Sequence, residues 1–214
     1  MTPVRAVISD FGGVLTNPLW EAFAGWNESV GADPGVLGRA LQSAAEEHGE
    51  HPLYALERGE LTEAEFTEAV GAHLPGGIEL AGFSEVYFSH LHGNEPMIEL
   101  MRELRDRGFR MAMLTNNVRE WEPLWRAKLP VDEIFEVVVD SAFVGMRKPE
   151  REIYELTLER LGNGLCAEEC VFVDDLDVNC AMAVELGMTA VQYVSAEQAI
   201  PEIQAAVAGA ADGS

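Results

Sequence analysis

The sequence predicts an α/β fold, doubly wound around a parallel sheet, with a helical subdomain inserted after the first strand. Three observations carry this. Five short apolar runs, at 4–9, 110–116, 135–141, 170–175 and 189–194, are continuous rather than alternating, as strands buried on both faces are. Helical patterns separate the later runs, in the rhythm of βαβ units. Residues 17–92, between the first two runs, hold helical patterns and no convincing strand.

The elements follow in order. The first run, VRAVIS, ends at Asp10, and a turn follows at Gly12 and Gly13. In the insertion, PLWEAFAGWNESVG (18–31) reads as one helix, and the capping box of Thr62 and Glu65 opens another. A crossover this long exceeds what one βαβ link needs. Residues 17–92 are therefore expected to form a helical cap over the carboxyl end of the first strand. Residues 1–16 and 93–207 form the core, and 208–214 a fraying tail. The stretch 94–108 has Asn94 as its cap, Gly108 as its stop, and a stripe of Met97, Leu100, Met101 and Leu104. The next helix, 149–162, carries Pro149 near its first turn. Two more cover 177–187 and 195–207, where Ser195 and Gln198 have capping-box spacing and Pro201 is expected to disturb the helix.

Composition bounds the function. The 214 residues fit one domain or a core with a modest insertion. A formal charge of −23 argues against nucleic acid and anionic membrane surfaces. It also means that an anionic ligand needs strong local positive charge. No apolar stretch is long enough to span a membrane, and the first residues lack a signal-peptide pattern. Cys166, Cys170 and Cys180 form no C-x-x-C pair and read as reduced thiols, so the cytoplasm is the expected location. Of the fourteen basic residues only Lys128 and Lys148 are lysine.

Ligands of open parallel sheets bind outside the carboxyl ends of the strands. There this sequence places Asp10, then Thr115 and Asn116, then Lys148 after the third strand, then Asp174 and Asp175. That set suits phosphoryl transfer. A carboxylate is already anionic at neutral pH and needs no base to act as nucleophile. Repulsion from the phosphate has to be cancelled by Mg²⁺ on hard oxygen ligands and by a lysine ammonium. A hydroxyl and backbone N–H groups fix the remaining phosphate oxygens.

The ordered motifs D10-F-G-G-V-L-T16, T115-N116, K148-P149 and D174-D175-x-x-x-N179 resemble those of the haloacid dehalogenase-like superfamily, in its phosphatase branch. They span residues 10–187. The resemblance implies a Rossmann-like core with an inserted helical cap, and a small phosphorylated metabolite as substrate. It implies Asp10 as nucleophile, with Asp10, Asp175 and the Gly12 carbonyl on Mg²⁺ and Asp174 assisting directly or through water. Thr115 and the Asn116 backbone would hold the phosphate, Lys148 would neutralise its charge, and Asn179 would support the metal loop. Asp140 and Asp177 are read as structural, and Lys128 as solvated.

Position 12 departs from the pattern. Most phosphatases of the superfamily carry an aspartate two residues after the nucleophile, as general acid and base; here it is Gly12. Such assistance is worth roughly 10²–10⁴-fold. Gly12 therefore implies a slow enzyme, a good leaving group such as that of a sugar 1-phosphate, or a substitute acid from the cap. A 2-haloacid dehalogenase would also use Asp10 and lack the second aspartate, but Asp174 and Asp175 would crowd its anionic substrate. A phosphonate hydrolase would need a cap lysine, and 17–92 has none. A non-catalytic scaffold with a vestigial site is the remaining alternative. Within the cap, Trp20, Trp26, His48, His51, Tyr54 and Arg58 are the candidate substrate contacts, Arg58 foremost because it brings positive charge.

Overall fold

The computed structural model describes residues 2–208. Five parallel strands form one sheet in the order β3-β2-β1-β4-β5: β1 (Ala6–Ser9), β2 (Arg110–Thr115), β3 (Val137–Asp140), β4 (Cys170–Asp174) and β5 (Thr189–Gln192). Each is shorter than its apolar run. Arg5 already bonds to both neighbours, donating to Glu169 O and accepting from Arg110 N, but Val4 lies outside the ladder. Phe135 closes a helical turn before β3, and Ser141 opens another after it.

Twelve α-helices and two 3₁₀ turns, Arg119–Trp121 and Ala167–Glu169, complete the described chain. Five lie between β1 and β2 in the insertion: α1 (Leu19–Ser29), α2 (Val36–His48), α3 (Pro52–Glu57), α4 (Glu63–Gly71) and α5 (Phe83–Ser89). The core adds α6 (Glu95–Asp106), α7 (Glu122–Arg126), α8 (Val131–Ile134), α9 (Ser141–Val144), α10 (Arg151–Leu161), α11 (Asp177–Leu186) and α12 (Ala196–Ala208). The expected tail lies outside the described residues, apart from Ala208, the last residue of α12.

Successive strand residues point to opposite faces, and the packing divides accordingly. Val7, Met111, Met113, Val171 and Val173 pack on one side with the α6 stripe and with Ala199, Ile203 and Val207 of α12. Ala6, Ile8, Ala112, Leu114 and Phe172 pack on the other with Ile153 and Tyr154 of α10 and Cys180 and Ala183 of α11. Both faces of β1 and β4 are covered, which is why their sequences read as unbroken apolar runs.

The insertion leaves and rejoins the core at neighbouring points. Thr16 and Gly93 form an antiparallel bridge, Asn17 N donates to His92 O at 2.9 Å, and His92 N donates to Asn17 Oδ1 at 2.7 Å.

Several local expectations change. Asn94 sits at the start of α6 without capping it; its Nδ2 donates instead to Val14 O and Tyr193 Oη, both at 2.7 Å. The helix after Pro149 starts two residues later than expected, at Arg151, with Pro149 just before its first turn. Pro201 leaves α12 unbroken, because Ala199, Ile203 and Val207 hold that helix against the sheet. Lys128 is half-buried, and its Nζ donates to Phe88 O near the end of α5, where helix carbonyls lack partners. The Thr62–Glu65 capping box is formed at α4.

Candidate active site

Sheet order decides which side chains meet. β1 pairs with β4 in the register Ser9↔Val173, so the next residues, Asp10 and Asp174, leave the sheet side by side. Asp10 N donates to Val173 O at 2.8 Å and fixes that backbone. Connections from these two strands diverge, since β2 and β3 lie on one side of β1 and β4 and β5 on the other. A crevice opens there, at the switch point of the winding.

Lys148 fills the floor of the crevice. It is 1% exposed, and its Nζ lies 2.7 Å from Asp10 Oδ1 and 2.7 Å from Asp174 Oδ2. Its backbone is clamped by Asn116: Lys148 N donates to Asn116 Oδ1 at 2.8 Å, and Asn116 Nδ2 donates to Lys148 O at 3.0 Å. The Asn116 side chain thus positions the lysine. Thr115 is buried beside it at the end of β2.

The two adjacent aspartates differ. Asp174 is fully buried, and both of its oxygens are engaged: Oδ1 accepts from Leu176 N and Asn179 Nδ2, each at 2.9 Å, and Oδ2 from Lys148. Asp174 therefore holds the lysine, and Asn179 holds Asp174. Asp175 is only half-buried, and its carboxylate approaches Gly13. A Cβ at Gly13, whose φ is +78°, would sit 2.6 Å from Asp175 Oδ2, so this approach requires glycine. Carboxylate oxygens of Asp10, Asp174 and Asp175 lie within 4.8 Å of one another. A set of hard anionic oxygens, with a backbone turn cleared of side chains beside it, fits Mg²⁺.

The electrostatics agree with an incompletely neutralised cluster. Burial raises the Asp10 carboxyl against the pull of Lys148, with Asp174 reinforcing the rise. Burial likewise raises Asp175, and Asp174 adds to it. Burial acts to lower Lys148, but Asp10 and Asp174 overcome it and hold the ammonium charged. Lys148 pairs with two of the three carboxylates and Asp175, among the described residues, with no basic group, which leaves negative charge for a cation.

Above the crevice is a cavity of about 220 Å³ between core and insertion. Gly12, Thr115 and Asn116 line its core side; Phe23, Leu37, Leu41, Leu56, Phe66 and Phe83 line much of the opposite wall. A Cβ on Gly12 would lie 3.0 Å from Leu19 Cδ1, so a side chain at position 12 would be crowded unless Leu19 shifts.

None of the six cap contacts expected from sequence lines this cavity. Arg58 is committed to carboxylates: it pairs with Glu50, lies 2.9 Å from Glu60 and 3.7 Å from Glu150. Trp20 is 67% exposed, while Trp26 is buried edge-on to Phe83. His48 is exposed; His51 is half-buried, not solvated, and stacks on Tyr54, which also lies under the Arg147 guanidinium. Asp140 and Asp177 have the structural roles expected of them, accepting from Ala142 N and Val178 N respectively. Sequence reasoning missed the apolar wall and Glu57, which lines the cavity and pairs with Arg147 at 2.6 Å. The only signal was a surplus of leucine and phenylalanine in the insertion.

Comparison with known proteins follows the same lines. A family model described as haloacid dehalogenase-like hydrolase matches residues 4–187. Mouse acyl-CoA dehydrogenase family member 10 is 30% identical over 94% of this chain, and the match spans 19% of that protein. Mouse bifunctional epoxide hydrolase 2 is 26% identical over 94% of this chain, which spans 38% of it. The sesquiterpene phosphatase astK of Aspergillus oryzae is 30% identical, over 87% of this chain and 88% of its own length. A haloacid dehalogenase family enzyme of Bacteroides thetaiotaomicron, in complex with magnesium and inorganic phosphate, superposes with a TM-score of 0.68 at 22% identity, covering 89% of this chain and 94% of that one. With strand order, strand-end residues and family match in agreement, the chain belongs to the haloacid dehalogenase-like hydrolases.

Proposed function

We propose that this chain is a Mg²⁺-dependent phosphomonoesterase that acts on a small phosphorylated metabolite through an aspartyl-phosphate at Asp10. The observation that carries the reading is the buried Asp10–Lys148–Asp174 pairing, with Asp175 alongside, at the strand ends next to the cavity that Gly12, Thr115 and Asn116 line. Lys148 offers a fixed positive charge to an incoming phosphoryl group. Thr115 and the Asn116 N–H bind its remaining oxygens. The Asp10 carboxylate attacks phosphorus: an aspartyl O–P bond forms, the ester P–O bond breaks, and the alcohol leaves with a proton from solvent. Water then attacks the aspartyl-phosphate, giving inorganic phosphate and restoring Asp10. Asp10, Asp175 and the Gly12 carbonyl would hold the cation, which supplies charge neutralisation at the phosphoryl oxygens. Asp174 serves as the anchor of Lys148.

Two features bear on the rival reading. A 2-haloacid would bring its carboxylate against Asp175 with no cation to separate them. Asp175, only half-buried and approached by a glycine turn, has no role in that chemistry. Cys166, Cys170 and Cys180 are free thiols, the state expected in a reducing compartment such as the cytoplasm, and among the described residues no helix is long and apolar enough to cross a membrane.

Hydrolysis of p-nitrophenyl phosphate with and without Mg²⁺ tests the reading. Turnover is expected only with the metal and is abolished in Asp10→Asn. Calorimetry supplies a readout apart from activity: Mg²⁺ binds wild type, and Asp175→Asn loses it. Metal-independent halide release from 2-chloropropionate would overturn the proposal.

A further inference from the structure

The cavity over the strand ends is unlike a site for a polyhydroxylated ligand. Its core side carries the phosphate-binding groups Thr115 and Asn116, and the wall facing them is built largely of leucine and phenylalanine from all five helices of the insertion. Glu57 is the one carboxylate on the lining, and Arg147 engages it at 2.6 Å. Apart from Tyr87 and the unpaired Trp121 Nε1–H, this wall would offer a sugar hydroxyl no partner for the water it surrenders. Hydrocarbon pressed on it would lose contact with water at no such cost. Phe23 lines the cavity and is 37% exposed, so the wall reaches the surface there.

We infer that the substrate is a phosphomonoester with a hydrocarbon tail, its phosphate at Asp10, Thr115 and Lys148 and its tail in this apolar cavity. The inference rests on the phosphatase reading and names the substrate class for it, in place of the sugar 1-phosphate suggested by the D-x-G motif. Gly12, Thr115 and Asn116 line the cavity, and Asn116 is hydrogen-bonded to Lys148, so the cavity adjoins the strand ends and one ligand can reach both. An engineered apolar cavity of about 150 Å³ accepts benzene. Scaled by volume, the cavity here, about 220 Å³, holds a tail on the order of nine carbons.

A series of linear alkyl phosphates from methyl to dodecyl, each below its micellar concentration and with saturating Mg²⁺, tests this. kcat/KM is expected to rise about three- to fourfold per methylene and to level off near nine carbons. Leu41→Trp, which narrows the cavity, should move the plateau to shorter chains. A flat response along the series, or glucose 1-phosphate preferred over octyl phosphate, would overturn the inference. Should no monoester turn over, p-nitrophenyl phosphate included, the phosphatase reading fails by itself. The tail is then read by calorimetric binding of the same alkyl phosphates. A heat-capacity change that grows more negative with chain length supports it, and chain-length-independent binding, or none, refutes it.

Discussion

At the scale of single residues, the site is organised around a lysine that answers to two aspartates, and around an absence at position 12. Removing Lys148 would leave Asp10, Asp174 and Asp175 crowded within 4.8 Å, at a cost of about 3–5 kcal/mol. Loss of activity in that variant would therefore mix chemistry with folding. Gly12 is more informative. Because Leu19 already stands 3.0 Å from the place of a Cβ, Gly12→Asp alone is expected to gain little and to lower Tm. Gly12→Asp combined with Leu19→Ala makes the room, and its kcat on alkyl phosphates should rise by up to ~10²-fold, the low end of general acid catalysis. Steady-state kinetics on butyl phosphate for the single and double variants checks this. Asp140 gives a prediction about pH. Burial pushes its carboxyl up to about 7, so between the unfolded value and 7 the folded chain holds a proton that the unfolded chain has lost. Its contribution to stability is full at low pH and falls as pH rises through that window. Asp140→Asn keeps an acceptor for Ala142 N–H and removes the titration. It should lessen the fall of Tm as pH rises toward 7, leaving the part contributed by Asp10, and raise Tm at pH 8, as thermal melts in a pH series would show.

At the scale of elements, α12 carries Pro201 on its exposed face, six residues into the helix, where it deletes a hydrogen bond and crowds the preceding turn. Pro201→Ala should stabilise the chain by about 1–2 kcal/mol, part of the helix gain being offset by a freer unfolded chain. In a chain of this size that is roughly 2–4 °C of Tm per kcal/mol, measurable by calorimetry. The same helix shows what a sequence can and cannot announce. The strands were legible because two-sided burial demands unbroken apolar runs, and Asp10, Thr115, Lys148 and Asp174 were legible because parallel topology brings such strand ends together. The four- and five-residue helices α7, α8 and α9 were not, being shorter than the pattern that would reveal them. Asn94 looked like a cap because its position is one; that its amide would turn to Val14 and Tyr193 depends on residues distant in sequence. The apolar wall was hidden for a similar reason. Leu37 packs and lines at once, and periodicity does not separate the two. Arg58 misled because charge was counted without its neighbours, Glu50, Glu60 and Glu150.

At the scale of the whole molecule, a charge of −23 surrounds a site proposed to take an anion. Lys148 cancels the repulsion at contact, but not during approach. At 0.01 M salt the screening length is about 30 Å and the substrate meets the field of most of the surface; at 0.15 M it is about 8 Å. For a dianionic ester at saturating Mg²⁺, kcat/KM should therefore rise between those ionic strengths while kcat stays nearly constant. A KCl series on one substrate checks this, and the opposite slope would mean a locally positive entrance.

The bridge between Thr16 and Gly93 has a consequence for inheritance. A segment whose two ends meet can be exchanged as one block without re-closing a loop in the rest of the chain. Asp10, Lys148 and the acidic pair all lie outside that block, while most of the apolar wall lies within it. Recombination at this seam can recast what the enzyme selects in a single event, provided the incoming block still seats on Phe11, Val118 and Trp121.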